Sequence, residues 1–591
     1  MIKTLLKSVR EYKKPSILCP IVMVGEAVME ILIPFFMAQI LGQFNVHLDF
    51  IKGVVEKDWD ITYIITRAVI MIVCATFALI CGVWGGKLAA KASCGFAHNL
   101  REDMYDRLQT YSFANIDNFS TSSLITRITT DVANVQNAYQ MSIRMLVRAP
   151  VLFITSIVMT FLIEPKMAAI FAGAAIILGI VISICMIKVV PYFRTMFKKY
   201  DKLNSVVQED LTAIRVVKSY VREDREISKM KNASGDVYKY SVKAERILTV
   251  MMPCVTLTMF IVNVINLTVG SNMVIGNIAG NVKATDVQTL IQYSAQILSG
   301  VMMVAMCLNF ISLSKGSMDR ICEVLNEKTT LPKAEQPVDE VKDGSISFKD
   351  VSFAYSQKAD LKVLKDINIE IASGETIGII GATGSGKTSL VSLIPRLYDV
   401  STGSVEVGGI DVRNYSLDAL RTKVAMVLQK NVLFSGTVAE NLRWGDENAT
   451  DEEIRLAAKQ ACADEFIERL PGGYNYDLGQ GGVNVSGGQK QRLCIARALL
   501  KKPKVIIFDD STSAVDTKTD ANIRQSLRIY APDVTKIIIA QRIASVQDAD
   551  RIIVMDDGKI SGIGTHKELV KSNAIYKEVY ESQVKGGEEN E

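Results

Sequence analysis

The chain has 591 residues, 49% of them hydrophobic, with a net charge of only +4 and ten scattered cysteines. A chain this long needs more than one core. So small a charge gives no nucleic-acid signal, and no cysteines pair at metal-ligand spacing, which fits small buried thiols in a reducing compartment.

The apolar residues are concentrated before about residue 325. Met1 to Lys14 is a short basic amphipathic segment suited to the inner membrane surface, and no cleavable signal peptide is evident. A spanning helix needs about 20 mostly apolar residues. Six stretches qualify: 16–45, 61–86, 143–163, 167–190, 247–274 and 287–314. The intervening loops alternate. Segments 46–60, 164–166 and 275–286 are short or weakly charged, whereas 87–140 and 191–246 are long and rich in Lys and Arg. That excess marks the cytoplasmic side, so the N-terminus, both long loops and the C-terminal half are expected inside the cell.

Both long loops keep helical periodicity, as in Val206, Val207, Leu211, Ile214 and Val217. Helices extended well past the bilayer would carry Ile116–Phe119 and Ala213–Val217 to where a soluble domain could meet them. Within the first span, Glu26 and Glu30 lie four apart on one face. Carboxylates at such depth face a cavity or a partner, so they read either as a site for cationic cargo or as interhelical bonding. Asn263, Asn266, Gln292 and Gln296 invite the same two readings.

Residues 326–344 are polar, contain Pro332 and Pro337, and read as a linker. Beyond it, 345–585 alternates short strands and helices in the manner of an α/β domain. Ile377–Ile380 is a strand. After it come Gly381, Ala382, Thr383, Gly384, Ser385, Gly386, Lys387, Thr388 and Ser389, then an apolar helix. This is a P-loop in spacing and context. Its glycines let backbone N–H groups wrap phosphates, Lys387 reaches the outer phosphates, and the Thr388 hydroxyl binds Mg2+. Ser486, Gly487, Gly488 and Gln489 open the next long helix and form a second anion cradle. A spare cradle suggests closure onto a nucleotide held by a different domain; an ordinary capped turn is the plainer alternative. Val505–Asp509 reads as a buried strand ending in a magnesium-binding carboxylate, and Asp510 follows it.

The P-loop, the glycine-rich serine signature, the strand ending in Asp509, and the run Ser513 to Asp516 occur in the order of an ATP-binding cassette. Six spans and then one cassette resemble a half-transporter of the ABC exporter family over nearly the whole length. The implied fold is an α-helical transmembrane domain, 1–325, fused to an α/β P-loop NTPase cassette. The implied ligands are ATP and Mg2+. The resemblance further implies that Tyr355 stacks on adenine and that Gln429 senses the γ-phosphate and Mg2+. Ser486 to Gln489 would cap ATP held by a partner cassette, Asp516 would bridge the two sites, and the two cytoplasmic segments named above would be coupling helices.

Two positions depart from the family pattern. Its general base is a glutamate, and here stands Asp510. Its switch residue is a histidine, and the strand Lys536–Ala540 is followed by Gln541. The three histidines are His47, His98 and His566, none of which can serve. A carboxylate retracted by roughly 1 Å can cost about 10²-fold in rate. Glutamine donates a hydrogen bond but cannot exchange a proton as histidine does. Asp510 could instead work through a second water. Together the departures resemble the degenerate-site subunit of heterodimeric bacterial multidrug exporters. That implies a multi-pass protein of the bacterial cell membrane, an amphipathic small-molecule cargo, and a second, different half-transporter carrying the missing glutamate and histidine.

Overall fold

A computed structural model describes residues 1–43, 47–49, 54–56, 60–275, 283–355, 362–510 and 517–588. The expectations for Ser513–Asp516, for residues 44–45 and for most of 275–286 lie outside them. The chain divides into two compact units, Met1–Gln109 with Thr121–Glu327, and Thr110–Ser120 with Lys328–Glu591.

The first unit consists of long helices. They are α1 (Lys13–Gln43) and α2 (Ile61–Gln109), then, beyond the short helix α3 (Phe113–Asn118), α4 (Val132–Ile163) and α5 (Pro165–Thr212). The single-turn helix α6 (Ile214–Ser219) leads to α7 (Glu223–Ile275) and α8 (Ala284–Asn326). Among the described residues, six helical stretches are long and apolar enough to cross a membrane. Their exteriors carry large apolar side chains such as Leu79, Leu162, Ile187 and Phe260, while Ala89, Ala92, Ser93, Ser156 and Thr160 are buried between helices. Apolar surface gains nothing by hiding from lipid, so close backbone approach and polar contacts hold the helices together.

Polar residues inside these spans find partners on neighbouring helices. Arg148 of α4 donates to Glu30 of α1 at 2.6 Å and lies 3.6 Å from Glu26. Asn266 donates to the Val287 carbonyl, Asn263 accepts from Ser294, Gln296 accepts from Ser156, and Gln292 faces Met37. Where α4 begins, Arg127–Asp131 forms a π-helical turn. The buried Asp131 accepts from Arg320 and Ser317 of α8, while Arg127 donates to Glu323 at 2.7 Å. The turn therefore fastens α4 to α8.

The second unit stacks two sheets. Antiparallel strands β1 (Ile346–Phe353) and β2 (Leu364–Ile371) precede β3 (Thr376–Gly381) and helix α9 (Lys387–Ser392). Next come β4 (Thr402–Val407), β5 (Ile410–Asp411), β6 (Val424–Val427), helix α10 (Gly487–Leu500) and β7 (Val505–Asp509). The chain ends with β8 (Thr535–Ile539), β9 (Arg551–Asp556), β10 (Lys559–Gly564) and the C-terminal helix α11 (Ala574–Glu588). One sheet runs β2-β1-β4-β5, and the other runs β10-β9-β3-β8-β7-β6. In the six-stranded sheet only the β9–β10 pair is antiparallel. Every residue of β7 and β8 is buried, which explains the apolar runs Val505–Phe508 and Ile537–Ile539 within them. One core fills the space between the sheets, and a second covers the other face of the larger sheet. Because β3, β8 and β7 are parallel neighbours, the loops after them share one edge. That edge is where α/β sheets bind ligands.

Candidate functional site

The loop between β3 and α9 is shaped by glycines. Gly384 and Gly386 adopt φ of 85° and 95°. A side chain at Gly386 would in addition come 3.2 Å from the Val363 carbonyl. The loop thus turns tightly into the start of α9, whose first-turn N–H groups have no intrahelical acceptor. Ser385 is buried, and its hydroxyl has no hydrogen-bond partner among the described residues. Lys387 Nζ donates to the carbonyls of Gly381 and Ala382 at 2.7 and 2.8 Å. Burial pulls its pKa down, against the pull of Asp510 and Asp509. Thr388 Oγ1 donates to Asp509 Oδ1 at 2.8 Å, so the expected magnesium ligands meet. Burial lifts the Asp509 carboxyl above the usual aspartate range, and Asp510 adds to the rise. An anion cradle, a free buried hydroxyl and an adjacent hydroxyl–carboxylate pair fit the phosphates of ATP and a divalent cation.

Asp510 has φ of 47°, a left-handed conformation that aspartate tolerates better than most residues. Its N–H bonds the Ile539 carbonyl. Gln541 Nε2 donates to Asp510 Oδ2 at 2.7 Å. The two residues that depart from the family pattern therefore touch. Gln429 lies exposed just past β6.

Tyr355 is 48% exposed. Its hydroxyl is 2.8 Å from Ser389 Oγ, and its ring meets Phe353 and Tyr398 edge-on. Sequence reasoning missed Tyr398. It joins Tyr355 to α3, donating to Asp117 Oδ2 at 2.6 Å and packing against Phe113. Burial first, and the Asp117 bond second, push its pKa well above the tyrosine range. No local signal could have marked a contact between residues so far apart in sequence. Asn115 of α3 also bonds the backbone of Lys328 and Thr330. Of the segments expected to dock, Ile116–Phe119 thus belongs to the same unit as the cassette. Of Ala213–Val217, Ala213 precedes helix α6 and the rest lie in it, with Ile214 and Val216 exposed.

Ser486 caps α10 in a reciprocal box with Gln489, the Ser486 N–H donating to Gln489 Oε1 at 2.8 Å. Gly487 and Gly488 then form the first turn, whose N–H groups point out of the helix end. Val485, in place of the commoner leucine, is buried in the core. Asp516 lies outside the described residues.

Residues 16–302 match the ABC transporter transmembrane region family, and residues 364–513 match the ABC transporter family. The chain is 34% identical to the uncharacterized ABC transporter ATP-binding protein YfiB of Bacillus subtilis, across 95% of each chain. It is 33% identical to the probable multidrug resistance ABC transporter ATP-binding/permease protein YheI of the same organism, across 82% of each. Its fold is similar to that of a bacterial Atm1-family ABC exporter with ATP bound, with a TM-score of 0.81, 23% identity, and 97% and 99% of the two chains covered.

Proposed function

This chain belongs to the ABC transporter family as an exporter half-transporter, a membrane domain fused to one cassette, and on that premise we propose that it works with a different half-transporter and holds ATP at a slowly hydrolysing site. The observation that carries this reading is the Gln541–Asp510 hydrogen bond. A general base needs reach and a free lone pair aimed at the attacking water. Asp510 is one methylene shorter than the family's glutamate, and one of its oxygens accepts from an amide that takes up no proton. The binding parts are complete by contrast: Gly381 to Ser389 shape the cradle, Lys387 neutralises charge, and Thr388 and Asp509, with Gln429, would hold Mg2+. Bound magnesium would offset the charge of the outer phosphates. Tyr355 presents a ring for the adenine.

Ser486 to Gln489 keep the capped helix start that a partner's ATP would need, with Asp516 as the bridge between sites. This chain would then help its partner hydrolyse while its own ATP holds the two cassettes together. Closing and opening of the cassettes would bias the membrane helices between inward- and outward-facing states, with ATP binding one state better than the other. The domain limits 1–325, 326–344 and 345–585 serve this division, and the basic loops favour a bacterial cell-membrane protein with its cassette in the cytoplasm. Cargo of the amphipathic small-molecule class is supported by the likeness to YheI.

ATPase measurements on the chain alone and with a candidate partner half-transporter test this reading. We expect near-background turnover alone. In the complex, glutamine in place of the partner's catalytic glutamate should abolish turnover, and Asp510→Asn should only reduce it. Robust hydrolysis by the isolated chain, eliminated by Asp510→Asn, would establish a homodimer with an aspartate base instead.

A further inference from the structure

The C-terminal helix α11 reaches back to the strand end that carries Gln541. Gln583 Oε1 accepts from the Ile543 N–H, and Gln583 Nε2 donates to the Gln541 carbonyl, each at 2.8 Å. One planar amide thus brackets the switch position, taking its carbonyl and the N–H two residues on. Both bonds hold the backbone, which leaves the Gln541 side chain free to donate to Asp510.

The helix is built to hold that bracket still. Tyr576, Val579, Tyr580 and Gln583 follow the spacing of one helical face. Tyr576 is fully buried, its hydroxyl 2.8 Å from His566 Nδ1, and burial pushes its pKa up to about 12. Val579 and Tyr580 pack against the same core. Gln583, two turns beyond the Tyr576 anchor, is exposed. Its bonds therefore compete with water and can be made and broken without disturbing that core.

We infer that Gln583 is a positioning residue for the nucleotide site, with α11 setting the orientation of Gln541 and, through it, of the Asp510 carboxylate. The inference rests on Gln541 facing the nucleotide and does not depend on which chain is the partner.

The test uses the full-length complex with the partner's catalytic glutamate changed to glutamine, so that bound ATP persists. Labelled ATP is loaded, diluted into unlabelled ATP, and its release from this chain's site is followed. Gln583→Ala should speed release about threefold to tenfold, the factor that one or two neutral hydrogen bonds carry. Gln583→Glu keeps the acceptor but sets a carboxylate against the Gln541 carbonyl, so it should be at least as fast. In a Gln541→Ala background, Gln583→Ala should add nothing, because both act through one side chain. Additive effects of the two substitutions, or a lowered Tm for Gln583→Ala with unchanged release, would reduce Gln583 to a structural staple and overturn the inference. If Gln541→Ala alone leaves release unchanged, the nucleotide-facing role of Gln541 fails and the inference falls with it.

Discussion

Asp510 and Gln541 are each a modest substitution, yet in space they form one unit. The left-handed backbone at Asp510 suits a short side chain that can bond locally. Its carboxylate then accepts from the Gln541 amide. Changing one residue alone should leave the other mismatched. Joint conversion, Asp510→Glu with Gln541→His, should raise hydrolysis at this site by about tenfold or more, given that misplacement of about 1 Å can cost 10²-fold. ATPase activity in the complex, with the partner's catalytic glutamate replaced by glutamine, reads this gain directly. No increase would mean that the site is slow for another reason. The P-loop was legible in sequence because its strand, turn and helix are contiguous in one short run. The Gln541–Asp510 bond was not, since it crosses from β8 to β7 and depends on strand order.

Among the elements, the long helices announced themselves by apolar length, and the parallel strands by apolar runs. Their pairings did not. Arg148 stands out as a charge in an apolar stretch, but only helix rotation reveals that it meets Glu30. The π-helical turn at Arg127–Asp131 has no sequence signature, although it supplies two ties between α4 and α8. Within the cassette, Arg551 at the start of β9 clamps Glu375 just before β3, with one contact at 2.8 Å. The Arg551 side-chain bond, followed by other hydrogen bonds and charge, holds the Glu375 carboxyl below the usual glutamate range against the opposing effect of burial. A depressed carboxyl pKa contributes stability above its unfolded value and loses it as pH falls through the folded value. The Arg551 side chain is 37% exposed, so solvent screens the pair and its worth is about 1 kcal/mol. Arg551→Gln should therefore lower cassette stability by about that much at pH 7. The gap from wild type should shrink as pH falls below the unfolded glutamate value of about 4 and close once it passes the lower folded value. Urea unfolding at pH 7 and below the folded value measures this, and a gap that persists in acid would assign it to packing instead.

At the scale of the molecule, the sequence divides once, near residue 325, whereas the structure divides three times. Thr110–Ser120 lies between membrane segments in sequence and with the cassette in space. It brings Phe113 and Asp117 to Tyr398, whose ring also touches Tyr355. The unit that contains the cassette is therefore discontinuous, and eleven of its residues come from the sequence between two membrane segments. A cassette excised as residues 328–588 would expose the Tyr398 ring and lose the acceptor for its hydroxyl. It should bind ATP more weakly than the full-length chain. A peptide of residues 110–120 added in trans should raise both its Tm and its ATP affinity, whereas the same peptide with Asp117→Ala and Phe113→Ala should not. Calorimetry with the two peptides checks this. Nucleotide affinities measured on such a fragment would describe an incomplete unit, because the Tyr355–Tyr398 ring contact loses the support of Phe113 and Asp117 on excision.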